Sequence, residues 1–363
     1  MKITRRSFFK LVAGGITATY SSPLMINNNI SFFFPPKSSS IKKFENIPHL
    51  KFGFYPTPIE ELKNLREELK SPVKLFIKRD DYTGMTISGN KVRKLEYLMY
   101  DVLKKKADTV ITIGPLQSNH ARATAMFCAK LGLKCILVLN GKPQEKPTAN
   151  ALLNNMLGAE IHYVDTRPER PVKMKEIAEE LQSRGKNVYQ IPLGGSIPVG
   201  SLGYVKAMGE LAHQLRKMDL KIDYIFFSSS SGGTHAGMEV GKCLYKLNNI
   251  KLIGVSPDDP ADEIKRYIID VANPLFEELN MKQKISSEDI TILEEYIGEG
   301  YEIPTPESNE ALSLLAKKEG IFLDPVYTSK AMAAVIDLIR KGKFKSNENI
   351  LFWHTGGTIA LFA

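Results

Sequence analysis

The sequence predicts an α/β fold of parallel-rich sheets covered by helices, and three observations predict it. Short β-branched or apolar runs alternate with amphipathic stretches from about residue 72 onward. Those runs are too apolar for strands with one face in water, which points to sheets buried on both sides. The length, 363 residues, suits one large or two ordinary domains, and 43% apolar residues with average Gly and Pro exclude a disordered or collagen-like chain.

Each element follows from its own residues. Residues 73–77 read as a strand, and Val92, Leu95, Leu98, Met99, Val102 and Leu103 fall at helical spacing after Asn90. Residues 109–113 form the next strand. Residues 118–131 form a helix with Ser and Asn at its start and Gly132 at its end. A strand at 135–139, a helix at 148–157 closed by Gly158 and a strand at 161–164 continue the alternation. Residues 172–182 and 203–216 read as helices around a strand at 188–191. Then 224–227, 234–245 and 252–255 repeat strand, helix, strand. Residues 306–318 and 329–340 are helices, and 350–353 is the last strand. Ligands of open parallel sheets sit beyond the carboxyl ends of the strands. Each motif discussed below follows a predicted strand or opens a helix.

Charge narrows the function classes. The chain carries 49 Lys+Arg against 40 Asp+Glu, a formal net charge of +9. Residues 1–43 hold seven of the basic residues (Lys2, Arg5, Arg6, Lys10, Lys37, Lys42 and Lys43) and no acid, which leaves the rest at a net +2. The body lacks the basic surplus of a nucleic-acid footprint. Cys128, Cys135 and Cys243 form no Cys-x-x-Cys pair and sit in apolar or helical runs, so they read as small buried hydrophobes. His49, His162, His213 and His354 lack metal-ligand spacing, and no Gly-x-Ser-x-Gly elbow occurs.

Thr4-Arg5-Arg6-Ser7-Phe8-Phe9-Lys10, followed by no charge until Lys37, resembles a twin-arginine export signal. The uncharged stretch is too rich in Gly, Ser, Thr and Asn for a membrane span, which needs about 20 predominantly apolar residues. Export to the periplasm is therefore expected, with a cytoplasmic location as the alternative. No Ala-x-Ala cleavage site is visible, so an uncleaved tether stays open. Residues 27–43 read as a linker, and the fold is expected to begin at residue 44.

Several short strings carry chemistry. In Ser88-Gly89-Asn90-Lys91-Val92-Arg93-Lys94, Lys91 falls in the first turn of a helix, where the positive dipole end disfavours an ammonium. A lysine kept partly neutral attacks carbonyls and forms Schiff bases, although from this string alone a solvated helix-start lysine is the commoner reading. Gln117-Ser118-Asn119-His120 stands where a strand becomes a helix, a place where Ser and Asn usually act as caps. Ser228-Ser229-Ser230-Ser231-Gly232-Gly233-Thr234-His235 joins a strand to a helix. A phosphate cradle and an ordinary tight turn fit it equally. It is neither a Walker loop nor a GxGxxG fingerprint. Asp324-Pro325-Val326-Tyr327-Thr328, His354-Thr355-Gly356-Gly357 and Gly300-Tyr301 complete the set. A reactive amine, an anion pocket and strand-end hydroxyls together are the parts that pyridoxal phosphate needs.

The order and spacing of SGNKVRKLEY, GPLQSNHARATA, PLGGSIPVGSLGYVKA, SSSSGGTHAGM, LDPVYTSKAM and FWHTGGTIALF resemble the aminocyclopropane-carboxylate deaminase and D-cysteine desulfhydrase family. These are pyridoxal-phosphate enzymes of the tryptophan-synthase-β-like fold (fold type II), and the match runs from about Thr57 to the C-terminus. The resemblance implies two domains: a larger cofactor-binding one from 44–91 and 206–363, and a smaller one from 92–205, with the cofactor between them. It implies Lys91 as the Schiff-base lysine, Asn119 beside the 3-hydroxyl, and Ser231, Gly232, Gly233 and Thr234 with Lys94 around the phosphate. Ser118, Tyr301 and Tyr327 would face a small amino-acid substrate, Thr328 the pyridine nitrogen, and a homodimer is implied. Ser230 and Glu302 depart from the family, whose members often have Gly at both places.

Within the family two substrates compete. Opening a cyclopropane ring demands a strong electron sink, and the deaminases look as though they carry Glu after Asp-Pro-Val-Tyr and Leu after the last-strand His. This chain has Thr328 and Thr355 there. A neutral hydroxyl suffices for β-elimination, so a D-cysteine desulfhydrase is expected, with an aminocyclopropane-carboxylate deaminase or a cysteate sulfo-lyase as alternatives. From another class, a periplasmic solute-binding protein would also combine export with a two-domain α/β body.

Overall fold

A computed structural model describes residues 38–85, 87 and 89–363, which form one compact unit. The twin-arginine-like string and most of the expected linker lie outside the described residues. Among the described residues ten strands make two sheets: β1 (Ile59–Glu61), β2 (Lys74–Arg79), β3 (Thr109–Pro115), β4 (Lys134–Asn140), β5 (Glu160–Val164), β6 (Val188–Ile191), β7 (Tyr224–Ser228), β8 (Lys251–Val255), β9 (Thr291–Leu293) and β10 (Asn349–His354). Six strands pair in the order β1-β2-β10-β7-β8-β9, and four in the order β5-β4-β3-β6. Only β1–β2 is antiparallel among these pairings.

Both sheets are covered on two faces, as their composition requires. In the smaller sheet Ile111, Ile113, Ile136 and Val138 pack with Ile177 and Ala178 on one side, while Val110, Leu137 and Leu139 pack with Leu95, Met99 and Phe127 on the other. In the larger sheet Leu75, Ile77, Phe226, Ile350 and Phe352 face one core, and Phe76, Ile225, Phe227, Leu351 and Trp353 the opposite one. Alternate residues of the same strands thus fill two cores, each large side chain contributing about 1.5–3 kcal/mol on burial.

The helices that matter for the site are α1 (Ser39–Glu45), α2 (Lys63–Glu68), α3 (Asn90–Lys104), α4 (Asn119–Leu131), α5 (Ala149–Met156), α6 (Glu169–Ser183), α7 (Pro198–Met218), α8 (Gly233–Leu244), α9 (Ala261–Glu278), α10 (Pro306–Glu319) and α11 (Thr328–Arg340). The expected domain limits at residues 92 and 205 fall inside α3 and α7. These helices pack so closely that a Cβ on Gly203 would lie 2.2 Å from the Arg93 carbonyl oxygen. We keep the division into two domains as a proposal that rests on the two sheets.

The expected end of the linker is corrected by five residues. Ser38 caps α1, its Oγ accepting from the Ile41 N–H at 3.2 Å. Phe44 is 4% exposed among Ile264, Ile268 and Leu275, and Lys43 donates to Asn280 Oδ1 at 2.9 Å. Three strongly polar residues in five had hidden this amphipathic turn. The helix α7 also begins five residues before the expected position, at Pro198, and α9, β1 and β9 were not foreseen.

Candidate active site

Strands β3, β7 and β10 end on one cavity of about 350 Å³, and Lys91 stands in its wall. The approach to Lys91 is pinned from two sides. Thr83 Oγ1 donates to the Gly89 carbonyl and accepts from the Gly89 N–H, both at 2.9 Å, and the Asn90 N–H donates to the Thr355 carbonyl at 2.9 Å. Gly89 has φ +151° and leaves room for the Thr355 oxygen, which a Cβ would approach to 2.7 Å. Lys91 Nζ donates to Asn90 Oδ1 at 3.2 Å. Burial first, and the Arg122 guanidinium second, push its ammonium down to about 8 against the opposing pull of Asp324. The free, nucleophilic amine is thus reached near pH 8 instead of above 10.

The anion pocket lies where β7 passes into α8. Gly232, at φ +77°, turns the chain so that the helix N-terminus faces the cavity, and Ser231 Oγ meets Ser196 Oγ at 2.8 Å. Lys94 lies behind it, 1% exposed, and donates only to the Gly194 carbonyl at 2.6 Å and Ser196 Oγ at 3.0 Å. No carboxylate among the described residues pairs with it. A Cβ on Gly233 would come within 2.6 Å of Lys94 Nζ, so the glycine admits the ammonium to the turn. Burial, then the nearby Lys91, hold that ammonium well below its ordinary range. A buried cation without a counter-charge at a helix N-terminus fits the phosphate of pyridoxal phosphate.

The Ser118-Asn119-His120 string opens α4 as expected, with Ser118 Oγ accepting from the Ala121 N–H at 3.1 Å. Asn119 is oriented by a residue that the sequence did not single out: Asn150 Nδ2 donates to Asn119 Oδ1 at 2.9 Å, turning the Asn119 amide N–H₂ outward as a donor. Asn150 is itself held by the Gln117 carbonyl at 2.8 Å and by Arg122 Nε at 2.8 Å. His120 was also missed as a wall residue. Thr112 donates to the Ile191 carbonyl and so accepts from His120 Nε2, which leaves Nδ1 as a buried acceptor with no protein partner.

Opposite stand Tyr301 and Tyr327, their hydroxyls 2.6 Å apart. Burial pushes both phenols up, so they are proton donors and not bases. Glu302 lines the same cavity with φ +62°, a backbone region that favours glycine, and Ser230 donates to Asp258 Oδ2 at 3.2 Å. Thr355 is in the wall, but Thr328 is not. Thr328 Oγ1 donates to Asp324 Oδ1 at 2.6 Å and accepts from the Asp324 N–H at 2.8 Å. Its one proton is committed away from the cavity. Asp324 in turn accepts from the N–H groups of Val326, Tyr327 and Thr328 as well, so its carboxylate is saturated.

A lysine amine, an unpaired cation beside a helix N-terminus and an outward amide donor define a cavity built for an aldehyde-bearing phosphate, and the fold is that of the enzymes which use one. The chain belongs to the pyridoxal-phosphate dependent enzymes, whose family matches residues 50–356. It is similar to a protein described as an ACC deaminase homologue, at 38% identity over 89% of this chain and 96% of that one, with a TM-score of 0.81. The chain is a pyridoxal-phosphate dependent lyase of the aminocyclopropane-carboxylate (ACC) deaminase type. An aspartate racemase (18% identity, 88% and 94% covered, TM-score 0.62) and the diaminopropionate ammonia lyase of Escherichia coli (18%, 90% and 89%, 0.63) share the fold. No observation supports the solute-binding alternative.

Proposed function

We propose that the chain is a β-eliminating lyase that converts D-cysteine to pyruvate, hydrogen sulfide and ammonia. The observation that carries this reading is a hydroxyl, Thr355, in the cavity wall, with Thr328 outside that wall and bonded to Asp324, both of whose carboxylate oxygens are engaged. No free carboxylate is offered there to keep a pyridine nitrogen protonated, and ring opening lacks the strong electron sink that it needs. Pyridoxal phosphate, when bound, draws off the electron pair left at Cα.

The protein groups supply the rest. Ser118 Oγ accepts from the helix and keeps its proton free for a substrate carboxylate, which the positive end of α4 also favours. Lys91, tuned to about 8, takes the proton from Cα. Of the two phenols, one donates to the other, which leaves one proton for a departing thiolate. The aminoacrylate released then hydrolyses to pyruvate and ammonia.

Incubating the holoenzyme with D-cysteine, L-cysteine and aminocyclopropane carboxylate, with sulfide and keto-acid read separately, tests the reading. D-Cysteine turnover with poor ring opening is expected. A kcat/KM in favour of the cyclopropane substrate would return the chain to the deaminases. We also propose that the leader exports the protein. Replacing Arg5 and Arg6 by Lys should keep it in the cytoplasm, and an unchanged location would end that proposal.

A further inference from the structure

The first turn of α11 buries a lysine that the elimination described above does not use. Lys330 is 0% exposed, and its ammonium donates to three main-chain carbonyls: Ile297 at 2.7 Å, Gly300 at 2.9 Å and Pro257 at 3.1 Å. An ammonium has three protons, and this one spends all of them on two loops. One loop carries Tyr301, next to Gly300, and the other carries Asp258, next to Pro257; both residues line the cavity. Lys330 also stands three residues after Tyr327, at the head of the same helix.

Burial disfavours this ammonium, and although the field of Asp258 supports it, no carboxylate among the described residues bonds to it. What it holds is a loop with little structure of its own. Gly298, Gly300 and Glu302 have φ of +70°, +146° and +62°, which no strand or helix ladder accommodates. The main-chain bonds at the two ends of the loop, Ile297 N–H to the Glu294 carbonyl at 3.2 Å and Ile303 N–H to the Gly300 carbonyl at 3.4 Å, are both longer than the two that Lys330 makes there. Lys330 thus ties the loop of one phenol to the helix that begins at the other, across the 2.6 Å contact of the Tyr301 and Tyr327 hydroxyls.

We propose that Lys330 is a positioning residue for proton delivery to the leaving group, an internal cation that locks Tyr301 against Tyr327. This rests on the β-eliminating reading. As the Cβ–S bond breaks, its electron pair leaves on sulfur, and the free phenol proton moves to that sulfur to give hydrogen sulfide. The phenolate left behind accepts from the second phenol, a charge-assisted bond that needs the two hydroxyls in contact, and it regains its proton from water.

The test is a double-mutant cycle in the holoenzyme, Lys330→Met with Tyr301→Phe, read as sulfide released from D-cysteine. Lys330→Met should lower kcat about tenfold or more and leave KM within about twofold, because the phenols act on the leaving group. In the Tyr301→Phe background the same change should cost little further. Alanine of the D series carrying chloride on Cβ, whose leaving group needs no proton, should be turned over by Lys330→Met at close to the wild-type rate, which also shows that the variant is folded and loaded. Lys330→Gln, which keeps two of the three donors, should lie between Met and wild type, and it carries the same cycle should the Met variant fail to fold. Additive losses in the cycle, or equal losses on the two substrates, would overturn the positioning role. Hydrogen exchange supplies a readout without turnover: the amides of residues 298–303 should exchange about tenfold faster or more in Lys330→Met. Unchanged exchange there would overturn the tether. A wild type that releases no sulfide while showing that exchange difference would count against the desulfhydrase reading alone.

Discussion

Thr328 gives its hydroxyl proton to Asp324 at 2.6 Å and takes the Asp324 backbone N–H in return at 2.8 Å, both groups fully buried. A carboxylate at position 328 would stand against a second carboxylate away from water. Thr328→Glu is therefore expected to lower stability by about 3 kcal/mol or more, whereas Thr355→Leu, on the cavity wall, should cost far less. Urea unfolding of the two single variants separates these outcomes. Thr355→Leu should also move the ratio of kcat/KM for D-cysteine and aminocyclopropane carboxylate toward ring opening, and an unmoved ratio would leave Thr355 a packing residue.

Lys91 sets a pH dependence of cofactor uptake. Its amine is protonated below about 8 and cannot attack a carbonyl there. Stopped-flow absorbance of cofactor-free protein mixed with pyridoxal phosphate should show a rate that climbs with pH to half its plateau near 8. Borohydride reduction of the holoenzyme and peptide mapping should mark Lys91. A label on another lysine would remove it from the mechanism.

Lys94 should show opposite effects in the two forms. Its ammonium is disfavoured in the folded protein, so the unfolded chain binds that proton more readily and stability rises with pH toward the ordinary value of 10.5. Lys94→Met removes the unpaired charge, so the cofactor-free variant should be as stable as wild type or more so, with a flatter pH slope. Its affinity for pyridoxal phosphate should fall tenfold or more. Denaturation across pH and cofactor titration check the two halves, and a variant unstable in both forms would contradict the argument.

Truncation tests where the body begins. Removal of residues 1–37 should leave stability and activity unchanged, because the first described core contact belongs to α1. Phe44→Ala in the full chain should cost about 3 kcal/mol, as loss of a buried aromatic does. An unaltered denaturation midpoint would return α1 to the linker.

The eight strands expected from apolar runs all appear, within about two residues at either end, because a buried parallel strand is written locally in its composition. The strings around Lys91 and Ser231–Thr234 were visible as helix openings, but their residues alone left a solvated lysine and an ordinary turn open, and their roles came from the resemblance. Helix α9 was not readable, since Pro274 sits inside it and Pro260 takes the place of a polar cap. The start of α7 was obscured by Gly200 and Gly203, which serve close packing between helices. Asn150 carries no local signal at all. It matters through Asn119, 31 residues away, a relation that exists only after folding.

Helix α3 bears Lys91, Arg93 and Lys94 within its first turn and a half, and each enters a different environment. Lys91 reaches the cavity and Lys94 the phosphate turn, while Arg93 is clasped by Asp80 at 2.7 Å and by Glu210 at 2.9 Å. Burial works against the Asp80 carboxylate, but Arg93 overrides it and keeps Asp80 ionised at about 2. A slip of one residue would rotate the helix by about 100° and misdirect all three side chains. The Arg93 clasp thus acts as a keyway that fixes the helix before any cofactor arrives. Insertions should be tolerated in the turn after Lys104, at the far end, and lethal to function between Thr83 and Gly89.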